Sequence, residues 1–87
     1  MKELAFGNAF RRDLKLCRKR GVRLDRLDGA IDLLRADTAL PVSYHSHKLQ
    51  GKWRVWECHI LPDLLLIYDF DEASVTLIRL GSHSDFF

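Results

Sequence analysis

A chain of 87 residues with 47% hydrophobic and 30% charged residues is long enough for one small folded domain and too apolar for a disordered chain. Its longest apolar run, residues 64–68, has the length of a strand and not of a membrane span. The two cysteines form no CxxC pair, and the first residues lack the apolar run of a signal peptide. We therefore expect a single domain, residues 1–87, in the reducing cytoplasm.

The first half of the chain has the apolar spacing of two amphipathic helices. Over residues 8–20, apolar residues recur at helical spacing, and Gly21 suits the left-handed residue that ends a helix. A second such series runs over residues 24–34 and is followed by Pro41. The short link between them predicts an antiparallel helical hairpin that packs its apolar stripes on a sheet. Residues 2–6 read as a short first strand or as a lead-in to the helices.

Positive charge is concentrated in this first part. Through Arg26 the chain holds nine Lys and Arg residues against three Asp and Glu residues, although the net charge of the whole chain is only +2. Such a basic block favours an acidic partner, and nucleic acid is the leading candidate. The alternative is an ordinary solvated helix face.

After Pro41 the pattern changes to that of strands. Three strand-like segments cover residues 53–60, 64–70 and 74–80, joined by short turns. They predict an antiparallel meander and, with the helices, an α+β domain. The central segment is continuously apolar, which suits a strand covered by helices on one face and by a ligand groove or partner on the other.

The tight turns allow the polar residues of the meander to be placed. If both hairpins close in short turns, His59 lies opposite Leu65 or Leu66, and Arg79 lies opposite about Leu66. One register puts His59 and Arg79 on the same face, and a slip of one residue moves one of them to the other face. With the neighbouring segments, the predicted cluster at one edge of the sheet is His47, His59, Asp63, Arg79 and His83.

These residue types suit metal-free cleavage of RNA. Histidine can act as acid or base near neutral pH, and arginine offers a permanent charge to phosphate oxygens. Each residue also has a structural alternative: a histidine can be a satisfied polar group, and Arg79 can pair with Asp69 or Glu57. A metal-dependent hydrolase is the chemical rival, with ligands drawn from His45, His47, His59, Asp63 and Cys58. The usual zinc spacings are absent, and an arginine in the cluster argues against a bound cation, so no metal or other cofactor is expected.

The motifs HKLQGKW at 47–53, ECHILPDLLLIY at 57–68 and RLGSHSDFF at 79–87 resemble the YafQ branch of the RelE/YafQ toxins. These are small bacterial, ribosome-dependent mRNA endonucleases of type II toxin–antitoxin systems. The resemblance implies a RelE-like α+β fold and cleavage of mRNA in the ribosomal A site, which leaves a 2′,3′-cyclic phosphate and a 5′-hydroxyl. It also implies a cognate antitoxin that wraps the toxin, and the basic charge would suit an acidic one.

By the same resemblance, the active-site positions of the family fall on His47, His59, Asp63, Arg79, His83 and Phe87. The implied roles are His83 as general acid, Asp63 or His59 as base, Arg79 at the transition state, His47 at the phosphate and Phe87 stacked on a base. The side chains implied to contact ribosomal RNA are Arg11, Arg12, Lys15, Arg18, Lys19, Arg20, Lys52 and Arg54. The alternative function is a non-catalytic module of the same fold that binds RNA, the ribosome or an antitoxin.

Overall fold

The structure, a computed structural model, describes residues 1–49 and 55–86. In chain order the elements are β1 (Glu3–Phe6), α1 (Asn8–Lys19), α2 (Asp25–Arg35), a 3₁₀ helix (Val42–Tyr44), β2 (His47–Lys48), β3 (Trp56–Leu61), β4 (Leu64–Phe70), β5 (Ser74–Gly81) and α3 (His83–Phe86). The α+β class and the order of helices before meander are confirmed. The first predicted meander strand, 53–60, is shifted: β3 begins at Trp56, and residues 53 and 54 lie outside the described residues. In the described part of the chain, no helix has the length and apolar character needed to cross a membrane.

Both long helices end in the same way. At the end of α1, Gly21 takes a positive φ of 73°, and the N–H of Val22 donates to the carbonyl of Cys17 at 3.0 Å. This is the Schellman arrangement that the sequence predicted at Gly21. At the end of α2, Asp37 takes the left-handed conformation with φ 56°, and Thr38 N–H donates to the carbonyl of Leu33. The second helix therefore ends well before Pro41.

Among the described residues, the sheet has five strands in the order β1-β5-β4-β3-β2. The predicted meander β3-β4-β5 is antiparallel throughout, and β2 extends it as a short antiparallel edge strand. The N-terminal strand exists, but it pairs parallel to β5, so the sheet is mixed and not purely antiparallel. A four-residue strand carries no pattern that reveals its direction. Here β1 pairs with the outer edge of β5 as far as Leu77, whose carbonyl accepts the N–H of Gly7 at 2.9 Å.

The register of the meander decides which residues share a face. His59 pairs with Leu65, one of its two predicted partners, whereas Arg79 pairs with Ile67 and not with Leu66. The difference comes from an irregularity between Ile67 and Tyr68, where β5 accommodates Ile78 as one extra residue. Because paired residues of antiparallel strands point to the same face, His59, Leu65, Ile67 and Arg79 all lie on one face.

The central strand β4 is buried on both faces, as its continuous apolar sequence predicted. Leu64, Leu66 and Tyr68 point toward the helices and join the main core, to which α1 contributes Phe10 and Cys17 and α2 contributes Leu27 and Ala30. Leu65 and Ile67 are also buried, but on the opposite face. That opposite face, which carries His59 and Arg79, is the one considered below.

Candidate active site

The centre of the candidate site is a buried carboxylate. Glu57 is the only charged or polar residue among the described ones that is classed as buried, with 3% of its surface exposed. Its Oε1 lies 3.5 Å from Nε2 of His59 and 3.9 Å from Nε2 of His47. Glu57 and His59 alternate along β3 and therefore share a face, and His47 is the partner of Glu57 on β2. Strand pairing thus places one carboxylate between two imidazoles.

A third imidazole arrives from the end of β5. The ring of His83, the first residue of α3, lies 5.7 Å from the ring of His59, with an edge-on orientation. The side chains of α3 fold back over Gly81. A Cβ at Gly81 would lie 2.7 Å from Oδ2 of Asp85 and 3.1 Å from Cζ of Phe86. The absence of a side chain there leaves room for these two side chains of α3.

Glu57, His59 and His83 form a compact donor set. Each offers one ligand atom, and the three atoms lie within 4.8 Å of one another. One carboxylate and two imidazoles suit Zn²⁺ or Cu²⁺. The same three groups also suit acid–base chemistry, because imidazoles can exchange protons while a buried carboxylate holds them in place.

Arg79 lies on the same face, but its guanidinium is held by a residue of α1. Its Nε and Nη2 donate to the two carboxylate oxygens of Asp13 at 2.7 and 3.3 Å, and the Leu80 N–H donates to Asp13 at 2.9 Å. The hydrogen bond to Asp13 is the main cause that raises the pKa of Arg79 above its ordinary value. The guanidinium also lies 5.0 Å from the centroid of the Phe86 ring. Neither Asp69 nor Glu57 forms an ion pair with Arg79 among the described residues; Asp13 does.

The remaining expected site residues lie in the turn between β3 and β4, in the first helix segment or outside the described residues. Asp63 is exposed in the turn between β3 and β4, four positions beyond His59 in the chain. Phe87, Lys52 and Arg54 lie outside the described residues. The six basic side chains of the first helix segment are all exposed: Arg11, Arg12, Lys15, Arg18, Lys19 and Arg20.

Sequence reasoning did not assign Glu57 or Asp13 to the site. Glu57 had a usable signal, since it stands two positions before His59 on a predicted strand and must share its face. Asp13 had none, because it reaches Arg79 from a helix 66 residues away in the chain. Only the packing of α1 against β5 brings that pair together.

Comparison with known families gives the class of protein: a bacterial toxin of a type II toxin–antitoxin system. The family model, described as the bacterial toxin YafQ of type II toxin–antitoxin systems, matches residues 2–87. The chain therefore belongs to the YafQ toxin family, and the resemblance read from its motifs is confirmed.

Relatives and solved structures agree with this assignment. The chain is 31% identical over 88 residues to the mRNA interferase toxin YafQ of Escherichia coli K12, covering 99% of this chain and 96% of that protein. This chain matches YafQ in the E. coli DinJ–YafQ toxin–antitoxin complex with a TM-score of 0.92 and 30% identity, over 99% of this chain and 97% of that YafQ chain. A copper-bound mutant toxin from Helicobacter pylori has a TM-score of 0.96 and 35% identity over the whole of both chains. The family thus includes mRNA interferases, which are endoribonucleases.

Proposed function

We propose that this chain is the toxin of a type II toxin–antitoxin system and an endoribonuclease that cuts mRNA in the ribosomal A site. The reaction is attack of a 2′-hydroxyl on the adjacent phosphorus, with loss of the bond to the 5′-oxygen. It leaves a 2′,3′-cyclic phosphate and a 5′-hydroxyl. The observation that carries the proposal is the placement of His59 and His83, 5.7 Å apart between ring centroids, beside the buried carboxylate of Glu57.

The two histidines divide the acid and base roles. Nε2 of His59 faces Glu57, which favours a proton on Nε2 and leaves Nδ1 as the lone pair that takes the 2′-hydroxyl proton. His83, more exposed and on the short helix α3, donates a proton to the departing 5′-oxygen. Asp63, the other candidate base, lies in an exposed turn, so His59 is the better placed of the two.

Glu57 acts through the histidines and does not touch RNA in this proposal, because only 4% of its side chain is exposed. It orients His59 and stabilises the imidazolium that forms when the base takes a proton. His47, on the other side of the carboxylate, is 54% exposed and can reach the scissile phosphate. Because Glu57 acts on the proton transfers and does not touch RNA, Glu57→Gln should lower kcat more than it raises KM.

Arg79 stabilises the charge that develops on the phosphate. Its contacts with Asp13 use Nε and Nη2, and 41% of its side chain remains exposed. Asp13 fixes the direction of the guanidinium, so that less reorganisation is needed when the phosphate binds. Phe87, which lies outside the described residues, stacks on a base in this proposal.

The exposed basic residues of α1 and the residue that follows it bind ribosomal RNA. Such contacts are mainly to phosphates, so ribosome binding should weaken steeply with salt. Lys52 and Arg54 extend the same interaction in the proposal. A cognate, acidic antitoxin then neutralises the toxin; the E. coli relative has been solved in complex with its antitoxin DinJ.

The test is cleavage of a defined mRNA, with and without ribosomes, followed by detection of new 5′-hydroxyl ends. His83→Ala and Arg79→Ala should each lower cleavage by about a hundredfold or more and relieve growth arrest while the domain stays folded. Ser84→Ala, which alters the neighbouring residue of α3, serves as the matched control and should cut like the wild type. Full activity in both the His83 and the Arg79 variant would end the assignment. RNA binding without cleavage by the wild type would favour the non-catalytic module instead.

The donor set of Glu57, His59 and His83 also fits the kind of metal bound by the H. pylori relative. A Cu²⁺ or Zn²⁺ ion held there would withdraw the imidazole lone pairs from proton transfer, so the ion would inhibit cleavage. Activity should therefore survive exhaustive treatment with a chelator. A loss of activity on chelation that Zn²⁺ restores would instead support the metal-dependent hydrolase.

A further inference from the structure

A polar cavity borders the candidate active site. It has a volume of about 310 Å³ and is lined by Arg26, Ser43, His45, His59, Leu61 and Pro62. Its polar lining consists of one guanidinium, two imidazoles and a hydroxyl, and none of the described side chains that line it is a carboxylate. This charge balance suits an anion. His59 belongs both to this cavity and to the catalytic cluster, so the two are continuous.

Arg26 differs from the other arginines that contact the protein interior. Arg79 is engaged by Asp13, and Arg35 donates from Nε to the carbonyl of Lys2 at 3.1 Å. The Nε of Arg26 is buried and has no hydrogen-bond partner among residues 1–49 and 55–86. Its guanidinium lies 4.5 Å from the centroid of the buried Tyr44 ring instead. A cation–π contact holds a guanidinium in place without occupying its N–H donors, an arrangement that suits phosphate recognition.

His45 connects this arginine to the catalytic histidine. It ends the 3₁₀ helix in the left-handed conformation, with φ 48°, and its ring lies 5.3 Å from the ring of His59. The carbonyl of His45 accepts a hydrogen bond from Nδ1 of His47 at 2.9 Å. The left-handed conformation is uncommon for a residue other than glycine, and the exposed ring of His45 lies between the cavity and the catalytic cluster.

We propose that Arg26 and His45 form a subsite for the RNA phosphate next to the one that is cut. This inference rests on the proposed function, because the scissile phosphate must lie between His59 and His83. His83 approaches His59 from the end of β5, whereas His45 approaches it from the segment before β2. When the scissile phosphate of the RNA lies between His59 and His83, the neighbouring phosphate of the RNA therefore lies near Arg26 and His45. Arg26 binds that phosphate through its fork, and the subsite holds the strand in line for attack.

The experiment couples a change in the protein to a change in the RNA. Short synthetic mRNAs carry a neutral methylphosphonate at one phosphate at a time on either side of the cut. They are cleaved in the ribosomal A site by the wild type, Arg26→Gln, Arg26→Lys and His45→Asn. Asparagine is chosen at position 45 because it tolerates the left-handed conformation. Arg23→Gln is the matched control, since Arg23 is an exposed arginine whose partner is the exposed Asp25.

Arg26→Gln should lower kcat/KM about tenfold, the value of one charged hydrogen bond, and His45→Asn should lower it less. Arg26→Lys should fall between Arg26→Gln and the wild type. One methylphosphonate next to the cut should slow the wild type by a similar factor and slow Arg26→Gln no further. The thermal midpoints of the same variants show whether loss of the cation–π contact with Tyr44 lowers the stability of the domain.

The proposal is overturned if Arg26→Gln cuts like Arg23→Gln, or if every methylphosphonate slows the wild type and Arg26→Gln equally. Inhibition by inorganic phosphate that depends on Arg26, without any coupling to the RNA, would mean a free-anion site and would also overturn it. The coupling between Arg26→Gln and the methylphosphonate is also measured in a binding assay, with an RNA whose attacking 2′-hydroxyl is methylated so that it cannot be cut. That binding assay separates the two claims: a wild type that binds with coupling but never cuts refutes the proposed function and leaves the subsite supported.

Discussion

Replacing Asp13 by Asn tests how the structure holds Arg79. Asp13 accepts three hydrogen bonds, two from the Arg79 guanidinium and one from the Leu80 N–H, and 15% of its side chain is exposed. An amide keeps one acceptor oxygen and turns an N–H₂ group toward the remaining donors. The Arg79 side chain is 41% exposed, so solvent screens part of the pair. The expected loss is about 2 kcal/mol in the free energy of unfolding.

For a domain of this size, that loss lowers the thermal midpoint by about 10 °C. Urea or thermal unfolding followed by circular dichroism measures it, and the denaturant slope should not change. Asp25→Asn is the control, because its ion pair with Arg23 is 3.4 Å long and both side chains are largely exposed; it should cost less than about 1 kcal/mol.

The same variant tests function. If Asp13 acts by positioning Arg79, Asp13→Asn should reduce kcat about tenfold in the wild-type background and have little effect once Arg79 is alanine. A positioning role for Asp13 is refuted if Asp13→Asn has the same thermal midpoint as Asp25→Asn. It is also refuted if the Asp13 and Arg79 substitutions reduce kcat independently.

Three further predictions address local features. Gly81→Ala should force the side chains of Asp85 and Phe86 to move, since its Cβ would lie 2.7 Å from Oδ2 of Asp85. Because both belong to α3 with His83, the rate of cleavage should fall about tenfold, with a smaller effect on stability; wild-type kinetics would contradict this. Hydrogen bonds from the backbone N–H groups of Ala73 and Ser74 lower the pKa of Asp71. The ionised Asp71 carboxylate stabilises the fold at pH values above the ordinary carboxyl pKa, and this stabilisation is lost as the pH falls through the lowered pKa of Asp71. The thermal midpoints of the wild type and Asp71→Asn should therefore differ at about pH 7 and converge in acid. Burial raises the pKa of the Cys58 thiol to about 12, so iodoacetamide at about pH 8 should modify Cys58 only after unfolding in urea, as mass spectrometry can show.

Local pattern was sufficient for much of the fold. The spacing of apolar residues predicted α1 and α2, and Gly21 marked the end of the first helix because only glycine adopts its conformation freely. Alternation and turn residues predicted the meander and narrowed the partner of His59 to Leu65 or Leu66, of which the structure has Leu65. The direction of β1 was not predictable in this way, since strand direction depends on a partner at the other end of the chain.

The sequence by itself determined the α+β class, the family and the residue types available for cleavage, because motif spacing and apolar periodicity are local properties. The tertiary structure alone decided how those residues meet. An extra residue in β5 turns Arg79 onto the face of His59, which a regular register would not have done. Packing of α1 on β5 brings Asp13 to Arg79, and strand pairing buries Glu57 between His47 and His59. These contacts join segments far apart in the chain, and their free energy depends on the whole domain being folded.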